Sequence, residues 1–119
     1  MKLSVAIRKG IELDGEQCYH NYAEFDKDGK VIRCCALGAA AIGLKGLGHF
    51  EPCHEQAFSS ALLPLLGNSI PKSDVPKEFL DHRGTKRDSF VVDDVVVTLN
   101  DSLKWTRERI ADWLESIGR

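Results

Sequence analysis

The sequence predicts a mainly α-helical fold, a single small helical domain over residues 1–119 built around a buried central helix and carrying a short β-hairpin. Three observations predict it. The run Cys34-Cys35-Ala36-Leu37-Gly38-Ala39-Ala40-Ala41-Ile42-Gly43-Leu44 is apolar on every side, and a helix without a polar face must be covered by its neighbours. Stretches with apolar residues at i, i+3 and i+4 lie before and after it in the chain, the spacing of one helix face. The length of 119 residues suits one core; a chain of this size buries about 65% of the surface its unfolded form exposes.

In chain order, Ser4 is positioned to cap a first helix in which Ala6, Ile7, Gly10 and Ile11 form the apolar stripe while Arg8, Lys9 and Glu12 face water. Asp14-Gly15 should end it. Two short extended segments, Tyr22 to Phe25 and Lys30 to Arg33, flank Asp26-Lys27-Asp28-Gly29, whose residues tolerate left-handed backbone. They predict a hairpin over residues 22 to 33 leading into the buried helix at residues 35 to 45. Gly43, Gly46 and Gly48 are predicted to close that helix. Pro52 suits the first turn of the next one, with Glu51 and Glu55 favourable near its positive end.

The stripe Ala57, Phe58, Ala61, Leu62 and Leu65 belongs to that next helix, and Pro64 predicts a kink or an end there. Residues 67 to 75 have the composition of a loop, and Pro76 opens a short helical turn through Glu78, Phe79 and Leu80. Residues 89 to 99 support two readings: five valines favour a strand, whereas Val92, Val95, Val96 and Leu99 make a helical face. Helix is preferred, because no second run of similar length offers a strand partner. The last helix is the clearest. Thr106 is a good N-cap, Trp105 and Ile110 have the spacing of a hydrophobic staple, and Ile110, Trp113, Leu114 and Ile117 make one stripe that ends at Gly118.

Composition excludes several classes of function. With 43% hydrophobic residues, 29% charged residues and four prolines, the chain is far from the disordered and fibrous classes. A net charge of -2 supplies no field for polyanions, so nucleic acid is not an expected partner. The longest uncharged apolar run, residues 34 to 44, is about half of the roughly 20 residues that cross a bilayer, so no membrane partner is expected either. Arg8 and Lys9 interrupt the amino terminus before a signal-peptide core forms, which predicts a cytoplasmic protein with reduced thiols.

Five constellations bear on chemistry or binding. Cys35 at the start of a helix has its thiolate favoured by the helix dipole and free amides, the device of papain-like hydrolases, and so is the candidate nucleophile of a cysteine-dependent hydrolase or transferase. A base from His20, His49, His54 or His82 would have to reach it. Cys18, His20, Cys53 and His54 carry the ligand types zinc prefers, but neither pair has the two-to-four-residue gap by which one turn presents two ligands. No cofactor is therefore predicted, with zinc as the alternative. Arg83 and Arg87, in His82-Arg83-Gly84-Thr85-Lys86-Arg87, could hold a phosphate or carboxylate, although Asp81, Asp88, Asp93 and Asp94 dilute the local positive potential. Asp26-Lys27-Asp28-Gly29 lacks the final glutamate of a calcium loop, since Cys35 stands there. The phrase from Glu108 to Leu114 looks like the first helix of a helix-turn-helix, but no residues remain after it for a recognition helix.

Three phrases, Leu3-Ser4-Val5-Ala6-Ile7-Arg8-Lys9-Gly10, Cys35-Ala36-Leu37-Gly38-Ala39-Ala40 and the run from Leu99 to Leu114, together resemble a family of small uncharacterised bacterial proteins with the pattern LSxAIRxG, CALGAA and LNDxxxWTRExIADW. Val5 departs from an acidic position of that pattern, and the segment around Cys53 departs from a two-cysteine pattern of some relatives. The resemblance brings no activity or ligand with it. It implies helix over residues 90 to 99, and a corner between the last two helices at Asn100 and Asp101, which are also candidate binding residues. The expected function is a non-enzymatic binding or protein-interaction domain acting on an unidentified protein or on itself.

Overall fold

A computed structural model describes residues 1–52 and 55–119. Six α-helices and two small antiparallel strand pairs surround one contiguous cluster of buried side chains among these residues. The centre is α2 (Ala36–Lys45), in which every residue from Ala36 to Ile42 is buried. α1 (Leu3–Leu13) packs against it through Ala6 and Gly10, which face Ala39 and Gly43. Residues four apart share a helix face, so each helix presents one pair of small residues to the other. A Cβ added to Gly10 would lie 1.8 Å from the Ala39 carbonyl oxygen, and one added to Gly43 1.9 Å from that of Ala6. The two backbones are in direct contact.

Two expectations for these helices are corrected. Gly43 does not close α2 but lies inside it; Gly46, at φ 86°, ends the helix and its N–H donates to the Ile42 carbonyl. Ser4 does not cap α1. It is buried in the first turn, where its amide donates to the Arg119 carbonyl at 3.1 Å, so the C-terminal residue supplies what a cap would have supplied.

The hairpin forms as read, with β1 (Ala23–Phe25) paired to β2 (Val31–Cys34) across the Asp26-Lys27-Asp28-Gly29 turn. The Asp26 carboxylate accepts the amides of Asp28 and Lys30, and Gly29 takes φ 80°. Pro52 stands in a turn, and the described part of the following helix is α3 (Glu55–Leu66). Glu51 accepts the Val31 amide at 2.6 Å, which ties that turn to the hairpin. Phe58, Ala61, Leu62 and Leu65 form the buried stripe of α3, and the helix ends two residues after Pro64.

The loop expected over residues 67 to 75 contains β3 (Ile70–Pro71), which pairs with β4 (Ser89–Phe90). Residues 89 and 90 are thus strand, because a partner exists in a segment too short for periodicity to reveal. Between them α4 (Lys77–Arg83) follows Pro76, and Phe79 packs edge-on against Phe90. α5 (Val92–Val97) confirms the helical reading of the valine-rich run, burying Val92, Val95 and Val96. It widens into a π turn over Thr98–Ser102, closed by the Leu103 amide on the Thr98 carbonyl five residues back. α6 (Arg107–Ser116) then starts at Thr106, whose Oγ1 accepts the Arg109 amide at 3.1 Å. Arg8 on α1 pairs with Asp112 and Glu115 on α6. No helix among the described residues is long and apolar enough to cross a membrane.

Overpacking a close backbone contact destabilises by about 1–3 kcal/mol or more. Gly43→Ala should therefore lower the unfolding free energy by about 3 kcal/mol in urea titrations. Gly48→Ala, where an added Cβ meets nothing within 4 Å, should change it by no more than about 0.5 kcal/mol. Equal effects would mean that the α1–α2 contact is not tight.

Candidate functional site

The start of α2, the π turn and the loop before β1 converge on Asn100. Cys35 is the N-cap of α2, its Sγ accepting the Gly38 amide at 3.3 Å. The next orphan amide of that helix, Ala36 N–H, donates to Asn100 Oδ1 at 3.1 Å. Gln17 Nε2 donates to the same oxygen at 2.9 Å. Asn100 Nδ2 donates to the Cys18 carbonyl at 3.1 Å and to Asp101 Oδ1 at 2.7 Å. A carboxamide has two acceptor and two donor positions, and Asn100, 1% exposed, uses all four. It is a brace with no capacity left for a ligand.

Its neighbour differs. Asp101 has one oxygen held by Asn100, while Oδ2 lies 3.8 Å from His20 Nδ1. His20 takes φ 71° in the loop before β1. That loop can approach because Gly38 has no side chain: a Cβ there would stand 1.9 Å from the Tyr22 carbonyl oxygen, which accepts the Cys35 amide at 3.0 Å.

These elements enclose a pocket of about 420 Å³, within the range in which small molecules bind. Tyr22, Leu37, Val96 and Val97 form its apolar side, and Tyr22 is stacked on Phe58 with ring centroids 5.6 Å apart. His20, Cys35 and Asp101 give it polar groups, and Glu55 and Ser59 of α3 border it opposite the π turn. Cys35 therefore meets the distant pair Asn100 and Asp101 at one cavity, and His20 joins them.

The thiols are held protonated. Burial pushes Cys35 up to about 11, opposed by hydrogen bonds from the Gly38 and Leu37 amides. Burial likewise raises Cys18 to about 12. Cys34 is raised further by burial, against the lowering effect of Arg107. The amides that favour a Cys35 thiolate are thus outweighed by desolvation, and its Sγ accepts from the Gly38 amide.

Of the proposed zinc ligands, Cys53 and His54 lie outside the described residues. Cys18 donates its thiol to the Asn21 carbonyl at 3.3 Å, and no cluster of three metal-ligand side chains occurs among the described residues. Arg83 and Arg87 border a separate, broader depression whose wall is the exposed loop from Gly84 to Arg87. Arg83 is neutralised there by Asp94, so the loop is a solvated one with part of its charge already paired.

Sequence reasoning missed Arg107. Its side chain is buried, and Nη1 donates to the Asp14 and Cys34 carbonyls and to Cys34 Sγ, at 3.1, 3.3 and 3.1 Å. Arg107 Nε and Asp14 Oδ2 are left without partners. An arginine one residue after an N-cap normally faces solvent, and nothing in the sequence marks this one as internal. Gln17 also escaped notice as an isolated polar residue in a loop, and Tyr22, expected only as the first residue of a hairpin strand, instead precedes β1 and lines the pocket. No protein-family model, curated protein or solved structure matches this chain.

A thiol whose folded-state pKa stands above its unfolded value stabilises the fold below the unfolded value and loses that contribution as pH rises toward the folded one. Stability should accordingly fall from about pH 9 toward the folded values near 11 for Cys35 and 12 for Cys18. Urea midpoints across that range will measure it, and Cys35→Ala should flatten the decline. An identical slope in the variant would contradict the assignment.

Proposed function

We propose that this chain is a non-enzymatic binding domain of a bacterial cytoplasm, and that its ligand is a small molecule held in the pocket between the π turn, the start of α2 and α3. One observation carries the reading: a cavity of suitable volume with an apolar side and a polar side, the polar side braced by a fully satisfied buried carboxamide. Asn100 holds the walls, and Asp101 Oδ2 is the oxygen its network leaves for a ligand. A protein partner or self-association has less in its favour, since the large exposed apolar side chains, among them Val5, Ile32 and Leu63, are spread over α1, β2 and α3.

Titration with a neutral probe, phenethyl alcohol, followed by amide NMR should give saturable shifts at Tyr22, Leu37, Val96 and Val97. Val97 is 40% exposed at the edge of the pocket. Val97→Trp should therefore fill the cavity and abolish those shifts while leaving stability within about 1 kcal/mol. Shifts scattered over the surface, or unchanged in the variant, would end the proposal.

A second reading has a specific observation in its favour, because Cys35, His20 and Asp101 line the same pocket. In it Cys35 is a nucleophile and His20, oriented by Asp101, its base. Iodoacetamide at neutral pH separates the two readings. The binding domain should leave Cys35 unmodified until denaturant is added, whereas the enzyme should be labelled at Cys35 faster folded than unfolded.

A further inference from the structure

We infer that the pocket selects organic cations, specifically a primary amine carrying a short apolar arm. The inference rests on the binding reading above and adds the chemistry of the ligand. Among the described residues that line the pocket there are two carboxylates, Asp101 and Glu55, and neither lysine nor arginine. An anionic ligand would meet two like charges, with the His20 imidazole beside Asp101 as the one basic side chain among these described residues. Asp101 is well suited to receive an ammonium group: Asn100 Nδ2 fixes Oδ1 at 2.7 Å, so the carboxylate is oriented before the ligand arrives. Among the described residues Oδ2 has no hydrogen bond, and its one ion-pair approach is that of His20 at 3.8 Å. An ammonium donates three hydrogen bonds and accepts none, which matches an oxygen-rich rim.

The two helix starts that border the pocket do not reverse this preference. A helix N-terminus favours anions through its free amides, but in α2 the Ala36 amide is taken by Asn100 and the Gly38 amide by Cys35. In α3 the first turn carries Glu55 itself. The arm of the ligand would lie along Tyr22, Leu37, Val96 and Val97, and the Tyr22 ring adds a face that attracts cations. The cavity of about 420 Å³ limits that arm to a single ring or a short chain.

The test compares three probes of one shape on the full chain: phenethylamine, phenethyl alcohol and phenylacetate, each titrated by amide NMR. The amine should bind at least about tenfold tighter than the alcohol, equivalent to about 1.4 kcal/mol, and phenylacetate should be the weakest. Asp101→Asn should remove the preference for the amine while the alcohol still binds. Glu55→Gln, on an exposed position of α3, should reduce it without touching the Asn100 network, and carries the test if Asp101→Asn does not fold. Equal affinity for amine and alcohol, or tighter binding of phenylacetate, would overturn the inference while the pocket itself stands. Failure of all three probes to bind would remove the pocket and the inference together.

Discussion

The backbone contact between α1 and α2 is the constraint on which the rest of the structure depends. Ala6 and Gly10 on one helix and Ala39 and Gly43 on the other leave no side chain larger than a methyl between the two cylinders. Close packing of this kind offers little hydrophobic area per residue, since alanine and glycine have little to bury. Its value is geometric: α2 is brought so near α1 that larger residues on α3 and α5 can close over its remaining sides, while α6 packs against α1. The buried phenylalanines, isoleucines and leucines supply the area, and the small residues decide where it can be placed.

Asn100 performs a comparable service at the other end of α2. A helix start buried among apolar neighbours leaves amides that would each cost about 1–3 kcal/mol without a partner. Asn100 satisfies one, Cys35 another, and the remaining capacity of Asn100 reaches the Cys18 carbonyl, Gln17 and Asp101. Three chain segments are thereby fixed around one side chain. The π turn puts it there, since the wider ring at Thr98–Ser102 rotates Asn100 inward and leaves Asp101 at the pocket. A regular helix through the same residues would place them differently relative to α2.

Burial also explains why the cysteines are quiet. Cys34 and Cys35 behave as small apolar residues whose polar capacity is used locally, by Arg107 in one case and by a helix amide in the other. Arg107 is the less economical arrangement, since its Nε, like Asp14 Oδ2, has no hydrogen-bond partner among the described residues. It nevertheless links the end of α1, the end of β2 and the start of α6 through a single guanidinium.

Much of the architecture was legible in the sequence because it follows from local patterns. The uniformly apolar run of α2, the turn residues of the hairpin, the valine face of α5 and the Thr106 cap each act within a few residues of themselves. The errors share another character. Ser4 lost its capping role to a carbonyl 115 positions away in the chain, from Ser4 to Arg119; Gly43 became an interior contact because of Ala6; and residues 89 and 90 became strand because of Ile70 and Pro71. The candidate site was legible only in pieces, as Cys35, His20, Asn100 and Asp101 separately. Sequence alone determined which segments are helical and which faces are apolar, since these depend on spacing along one chain. Tertiary structure alone decided that Asn100 is a brace, that Arg107 is internal and that the four site residues share a cavity, since hydrogen-bond partners and burial depend on segments meeting in space.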